Sequence, residues 1–269
     1  HIDIDPAEIS KNVPAHIPIV GDAKHILSKL ITEYRALKAD SARLDDWWEQ
    51  IRDWQRQYPL SFEDSEGTEI KPQRVIQAIY EATGGDAIVS TDIGQHQMWT
   101  AQYFNFNRPR RWIQSGGLGT MGFGLPSAMG AKVGMPDETV ICIAGDGSIQ
   151  MNIQELATCA TEGIDIKIFI VNNGYLGMVR QWQELFWDKR YSAVDMRVGG
   201  ASGEWPDFVK LAEAMGCTGM RFEDKTTLVD DIRKAIATPG PVVVDVRVTR
   251  EENVYPMIAP GEAARDMVG

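Results

Sequence analysis

Two short stretches of this sequence carry residue types able to hold a cation and a phosphate side by side. The apolar run Val140-Ile141-Cys142-Ile143-Ala144 leads straight into Gly145-Asp146-Gly147-Ser148, and Asn152 stands near the start of the helix that follows. Glycines let the backbone come close to a ligand, and free N–H groups at a helix start attract phosphate oxygens. Asp146 is then a hard oxygen ligand beside a phosphate cradle. After 24 intervening residues a second apolar run, 166–171, ends in Asn172-Asn173-Gly174-Tyr175. One helix-strand step separates the runs, which puts a second oxygen-bearing side chain at the carboxyl end of a neighbouring strand. An Asp carboxylate, an Asn amide oxygen, a backbone carbonyl and phosphate oxygens make an octahedral shell suited to Mg²⁺. Singly, Gly-Asp-Gly and Asn-Asn-Gly read as turns. At this spacing, and at two strand ends, they read together as a metal-diphosphate site. A dinucleotide-binding reading fits less well, because the loop is not a G-x-G-x-x-G and an Asp within it would repel a pyrophosphate unless a cation intervened.

The elements that must position these loops follow from the periodicity. From Pro72 onward helix and strand alternate: helices at 72–83, 122–133, 153–162, 207–215 and 227–237, strands at 87–91, 139–144, 166–171 and 241–248. Short apolar strands separated by helices predict an α/β fold with a doubly wound parallel sheet covered on both faces, and ligands bind outside the carboxyl ends of such strands. Residues 1–71 differ in texture. A strand-like opening at 1–6 precedes a helical stripe over 24–38 and a second one over 41–58, where Leu44, Trp47, Trp48, Ile51 and Trp54 recur at helical spacing and are expected to pack. The polar stretch 59–71 reads as a linker.

Composition narrows the class. The chain has 269 residues, 43% of them hydrophobic, enough for one large α/β domain with an appendage. Lys and Arg total 27 against 38 Asp and Glu, and a net charge of -11 argues against nucleic acid or an anionic membrane as partner. The apolar runs fall far short of the roughly 20 residues that span a bilayer. Cys142, Cys159 and Cys217 have neither disulfide-framework nor zinc-site spacing and read as reduced, buried thiols. His16 and His25 read as surface or packing residues. The opening His1 lacks an initiator Met and a leader pattern, and the chain reads as beginning within a longer protein.

The loop pair resembles the signature of thiamine diphosphate (ThDP) enzymes, with Asp146 and Asn173 as metal ligands. The likeness narrows further. Segments 94–99 (Gly-Gln-His-Gln-Met-Trp), 115–126, 176–182 (Leu-Gly-Met-Val-Arg-Gln-Trp), the opening 1–9 and Pro256-Met257-Ile258 are similar to acetolactate (acetohydroxyacid) synthase large subunits. That resemblance spans essentially the whole chain. It implies that Gln95 and His96, in the loop after the strand at 87–91, contact the diphosphate with Gly145, Gly147, Ser148, Leu176 and Gly177. Gly119 and Met121 would lie against the aminopyrimidine and thiazolium, Met121 propping the cofactor in its bent form. Asp146, Asn173 and the Tyr175 carbonyl would hold Mg²⁺. Met178 and Trp182, four apart on a helix, would border the substrate channel, with core packing as the alternative for both. Asp3, Ile4 and Asp22 would touch FAD, or Asp22 would simply cap a helix.

On this resemblance residues 1–35 end a central FAD-associated domain, 36–71 form a helical linker and 72–269 bind the ThDP diphosphate and Mg²⁺. The implied reaction condenses two pyruvates, or pyruvate and 2-ketobutyrate, with loss of CO₂ in branched-chain amino acid biosynthesis. The implied setting is a homodimer or tetramer with a regulatory small subunit, in the cytoplasm or an organellar stroma. A glutamate expected from a separate N-terminal domain is not in this chain, so the chain alone is expected not to turn over. The alternatives are another ThDP carboligase or oxidase, which would lack Gln181-Trp182, and a cofactor-binding module without activity of its own.

Overall fold

The computed structural model describes residues 1–37, 44–64, 66–199 and 203–269, in two compact units, His1–Ser61 and Phe62–Gly269. In the first unit, β1 (Ile2–Asp3) pairs in parallel with β2 (Ile19–Val20). Helix α1 (Ala23–Ala36) starts at Asp22, whose carboxylate accepts from the His25 N–H at 3.0 Å. Helix α2 (Asp45–Gln57) matches the second expected stripe, but the expected start at Ser41, like Lys38, lies outside the described residues. The packing expected of that stripe is not found. Neither helix buries a residue, and Trp47 and Trp48 are about half exposed. The one ring contact between its tryptophans is Trp47 edge-on to Trp54, 5.5 Å between centroids. His16 and His25 are exposed as expected.

The second unit is the doubly wound sheet. Its six parallel strands, β3 (Ile88–Thr91), β4 (Trp112–Gln114), β5 (Val140–Gly145), β6 (Lys167–Asn172), β7 (Thr218–Phe222) and β8 (Val242–Arg247), lie in the order β4-β3-β5-β6-β8-β7. Alternate residues of the central strands feed two separate cores, because successive side chains of a strand point to opposite faces. On one face Val89, Ile141, Ile143, Phe169 and Val244 meet α3 (Pro72–Thr83), α4 (Gln95–Tyr103) and α10 (Leu228–Ala237). On the other, Cys142, Ala144, Ile168, Ile170 and Val243 meet α5 (Gly124–Gly134), α7 (Glu155–Glu162) and α9 (Phe208–Ala214). All three cysteines are buried and unpaired. Helix α3 runs over the expected residues: Pro72 opens it at a position where a missing N–H costs nothing, and Gly84 closes it at φ 60°.

Strands β4 and β7 and helices α4 and α8 (Gly177–Phe186) lay outside the helix and strand ranges read from periodicity. Strands β4 and β7 are edge strands, partly exposed, without an apolar run. Gln95 and His96 do not sit in a loop but begin α4. It buries Gln95, His96, Trp99 and Thr100 on one face, but three of the four are polar, so the sequence has no apolar stripe to read. Helix α8 carries the expected Met178 and Trp182. The polar stretch taken for linker ends in the core, with Ile70 at 1% exposure and its carbonyl accepting from the Thr249 N–H at 2.9 Å. Among the described residues no helix is long and apolar enough to cross a membrane.

The chain reverses its direction of winding between β3 and β5. From β3 it goes outward to edge strand β4 and then returns to the far side of β3, and this switch opens a crevice at the carboxyl ends. One buried charge stiffens the sheet next to it. Asp245, in mid-β8 and fully buried, accepts from Asn172 Nδ2 at 2.7 Å, Arg221 Nε at 3.1 Å and Arg247 Nη2 at 2.9 Å. Asn172 in turn accepts from the Gly174 N–H at 3.2 Å, which ties the turn after β6 to β8. Asp245→Ala removes the shared acceptor and should cost about 3 kcal/mol, the scale for orphaning buried charge partners. Urea denaturation with an unchanged midpoint would refute this account of the sheet.

Candidate functional site

Loops from the ends of β3, β5 and β6 converge on one cavity of about 260 Å³. Gln95, His96, Gly119, Met121, Gly145, Asp146, Gly147, Ser148, Asn173, Tyr175, Leu176, Gly177 and Met178, all expected at the site, line it. Trp182 does not; at 45% exposure it is no core residue either. Asp3, Ile4 and Asp22 belong to the other unit, at the carboxyl ends of β1 and β2. There Asp22 is spent on capping α1, Asp3 accepts from the Asp5 N–H at 2.9 Å, and Ile4 is 70% exposed.

Glycines make the approach to the cavity possible. A Cβ on Gly147 would stand 2.5 Å from Leu176 Cδ2, and one on Gly145 3.0 Å from His96 Nδ1. Ser148 Oγ folds back to accept from the Gly145 N–H at 3.1 Å. Asp146 heads the short helix α6 (Asp146–Ile149) at 1% exposure, and its Oδ2 has no hydrogen-bond partner among the described residues. Burial pushes its carboxyl up to about 7, the backbone N–H groups of Asp146, Gly147 and Gly174 pull it down, and the charge of Asp245 adds to the rise. A buried carboxylate with an idle oxygen is an energetic liability unless something positive faces it.

The register of β5 against β6, Gly145 beside Val171, brings the two loops together. Asn173 is 6% exposed; its Oδ1 accepts from the Tyr175 N–H at 2.9 Å and its Nδ2 donates to Gln95 Oε1 at 3.3 Å. The bridge between Tyr175 and Asp195 is made by the groups on either side: Leu176 N–H to the Val194 carbonyl, 2.8 Å, and Met196 N–H to the Gly174 carbonyl, 2.9 Å. The Tyr175 carbonyl is thereby left out of the bridge. Asp146, Asn173 and that carbonyl are hard oxygen donors of the kind that suits Mg²⁺.

His96 is buried, and desolvation pushes its imidazole down to about 4, against a hydrogen bond to the Asp92 backbone. It is neutral near pH 7, with Nε2 unpartnered among the described residues. Periodicity and motif missed several supporting residues. Arg250 stacks on the Tyr175 ring at 4.2 Å and donates to the Asn173 carbonyl at 3.3 Å and to Asp195. Asp92, at the end of β3, accepts from the Gly124 N–H at 2.8 Å, anchoring the start of α5. Ile93, Met98 and Trp99 add apolar wall. Only the position of Asp92 at a strand end hinted at a role; Arg250 lies past the last strand and has no local signal.

The state of Asp146 has a measurable consequence. Its folded-state pKa lies above its ordinary value, so at low pH both folded and unfolded chains hold the proton. As pH rises from about 4 to about 7 the unfolded chain ionises first, and stability falls across that window and stays lost above it. Asp146→Asn should therefore stabilise the metal-free chain at pH 8, by something on the order of 1–4 kcal/mol, while abolishing any stabilisation by Mg²⁺. Thermal denaturation in EDTA at pH 4 and pH 8 checks both signs; an Asn variant less stable than wild type at pH 8 contradicts the assignment.

Residues 92–246 match the family model "Thiamine pyrophosphate enzyme, C-terminal TPP binding domain". Over its full length the chain is 49% identical to the "Acetolactate synthase large subunit" of Parasynechococcus marenigrum, of which it covers 42%. It is 48% identical over 97% of its length to the "Acetolactate synthase" of Mycobacterium bovis, again 42% of that protein. With the "Acetolactate synthase isozyme 3 large subunit" of Escherichia coli it shares 46% identity over 99% of its length, 46% of that protein. The chain thus spans less than half the length of the curated relatives it matches. The glycine-lined crevice at the switch point, with Asp146 and Asn173 after adjacent strand ends, lies within the matched residues, and the chain belongs to the thiamine pyrophosphate enzymes.

Proposed function

We propose that this chain is the cofactor-binding part of an acetolactate synthase large subunit, which joins two 2-keto acids with loss of CO₂ in branched-chain amino acid biosynthesis. One observation carries the reading: the idle, buried Asp146 carboxylate stands at the end of the strand beside the one that leads into the Asn173 turn, in a chain 45–49% identical to proteins of that name. Thiamine diphosphate, when bound, supplies a carbon nucleophile at its thiazolium and a sink for the electrons released with CO₂. Asp146, Asn173 and the Tyr175 carbonyl hold Mg²⁺. The Gly145 and Gly147 backbone and the start of α6 offer N–H groups to the diphosphate, and Gln95, His96, Ser148, Leu176 and Gly177 line its place. His96 Nε2 receives a phosphate oxygen only with a proton on it, and phosphate charge beside it favours that proton.

Met121, with its Cε 4.0 Å from where a Gly147 Cβ would stand, is the apolar prop of the cofactor. It lies near Gly119 on the open side, where Leu118 is 93% exposed. The cavity is below the roughly 300–1,000 Å³ of pockets that enclose a small molecule, as befits a site completed by further protein, in a homodimer or tetramer. Asp146 is the lone carboxylate on the cavity wall among the described residues, and it is committed to metal. Proton transfer to and from the cofactor therefore needs an acid from elsewhere. A regulatory small subunit is part of the proposal, because relatives carry "large subunit" in their names. For FAD the fit is partial: Ile4 is exposed at the end of β1, whereas one oxygen of Asp3 and one of Asp22 each already accept from a backbone N–H. The flavin is assigned no step.

Two measurements test the reading. Acetolactate should form from pyruvate when the chain is combined with the remaining segments of the large subunit, while the 269-residue chain alone with ThDP and Mg²⁺ stays at background. Loss of a general acid or base costs about 10²–10⁴-fold. Acetolactate production by the chain alone, or a different carboligation product from the reconstituted enzyme, would defeat it. Trp182→Leu, at the exposed face of α8, should shift the ratio of products from pyruvate and 2-ketobutyrate by about 1–3 kcal/mol of discrimination while leaving ThDP affinity in place. An unaltered product ratio removes Trp182 from the substrate channel.

A further inference from the structure

An asparagine amide can present either an oxygen or an NH₂ group, and only the oxygen ligates a cation. The Asn173 amide is held at both ends: the Tyr175 N–H donates to its oxygen at 2.9 Å, and its nitrogen is held by a line that begins outside the cavity, from a backbone that cannot reverse. The Val254 N–H donates to Gln181 Oε1 at 2.9 Å, and the Val254 carbonyl accepts from Gln181 Nε2 at 3.0 Å. That pair fixes the polarity of the Gln181 amide, which is fully buried on α8. Its oxygen also accepts from Gln95 Nε2 at 2.8 Å, and the Glu252 carbonyl accepts from the same nitrogen at 2.8 Å. Both Gln95 amide hydrogens are then used, so Gln95 Oε1 is left to accept from Asn173 Nδ2 at 3.3 Å. The Asn173 oxygen consequently lies on the other side of its amide.

We propose that Gln181 is a positioning residue for cation binding: it transmits the fixed polarity of the 252–254 backbone through Gln95 to Asn173, so that the amide oxygen faces the metal. The inference rests on the reading of Asp146 and Asn173 as cation ligands. Two further features fit a built relay. It passes over Gly177, where a Cβ would stand 2.2 Å from Gln95 Oε1 and 2.9 Å from Asn173 Nδ2, so any side chain there would displace it. The segment that starts it is strapped down on both sides. Arg180 Nη2 donates to the Glu252 carbonyl at 2.8 Å and to Asn253 Oδ1 at 2.5 Å, and Lys71 and Gln73 of α3 and its cap hold the Glu252 carboxylate at 2.5 and 3.1 Å. A wrong polarity anywhere along the line would set two NH₂ groups or two oxygens face to face in a buried place, where an unmet polar group is costly.

The test sets metal affinity against stability in two near-isosteric variants, using Mg²⁺ titration by calorimetry in the presence of thiamine diphosphate and thermal denaturation in EDTA. Gln181→Met removes the relay and should weaken Mg²⁺ binding about 10- to 100-fold, the usual effect of losing a group that orients a ligand. Gln181→Glu keeps an oxygen that accepts from the Val254 N–H and from Gln95, so its Mg²⁺ affinity should stay close to wild type. Stability in EDTA should rank the other way, because a buried carboxylate costs more than a thioether. Mg²⁺ affinities that simply follow the EDTA stabilities, or an unchanged affinity in Gln181→Met, overturn the proposal. Asn173→Ala separates the two levels. If it weakens Mg²⁺ binding and Gln181→Met does not, the relay alone fails; if it leaves Mg²⁺ binding unchanged, the ligand assignment fails and the relay with it.

Discussion

The parallel pairing of β5 with β6 is the interaction on which the candidate site depends. With Gly145 beside Val171, Asp146, one residue past that pair, and Asn173, two residues past it, line the same crevice. A slip of one residue would send the side chains of a whole strand to the opposite face, exchanging Ile141 and Ile143 for Cys142 and Ala144 in their cores. The two hydrophobic cores therefore hold the register. Their packing decides where the carboxylate and the amide stop.

Around that pairing the polar groups are placed at the expense of local stability. Asp146 is buried with an idle oxygen, His96 is buried with an idle nitrogen, and Asp245 adds its charge from β8. Desolvation opposes each of these arrangements, and a cation with an anionic ligand would relieve the carboxylate and the imidazole together. Asp245 differs from the other two. Both of its oxygens are engaged, by Asn172 and two arginines, so it serves the fold and acts on the site through the turn it anchors and through its charge on Asp146.

The segment after β8 is bonded to residues of the cavity and its surroundings although it lies outside the sheet. Glu252 and Val254 supply backbone groups to Gln95 and Gln181, and Arg250 covers Tyr175. The first unit is of another kind. Its helices leave Trp47, Trp48, Leu27 and Ile31 on the surface, and the amphipathic stripes legible in its sequence have no core of their own to enter.

Much of the second unit was legible in sequence because its central strands are buried on both faces. Such strands read as unbroken apolar runs, and a Gly-Asp-Gly or Asn-Asn-Gly directly after one is marked as a strand-end loop by position alone. The family resemblance added Gly119, Met121, Gln95 and His96, which have no periodicity to declare them. Edge strands β4 and β7 were missed because a strand exposed on one side keeps mixed residues, and α4 because it packs without an apolar stripe. The strand order, the cavity, the exposure of Trp182 and the amide line from Val254 to Asn173 were decided by tertiary structure. Each joins residues far apart in the chain, 73 positions in the case of Gln181 and Val254, and an amide has no polarity until its partners are in place. Local sequence determines which groups stand at the ends of strands; only the packed fold determines which of their atoms face one another.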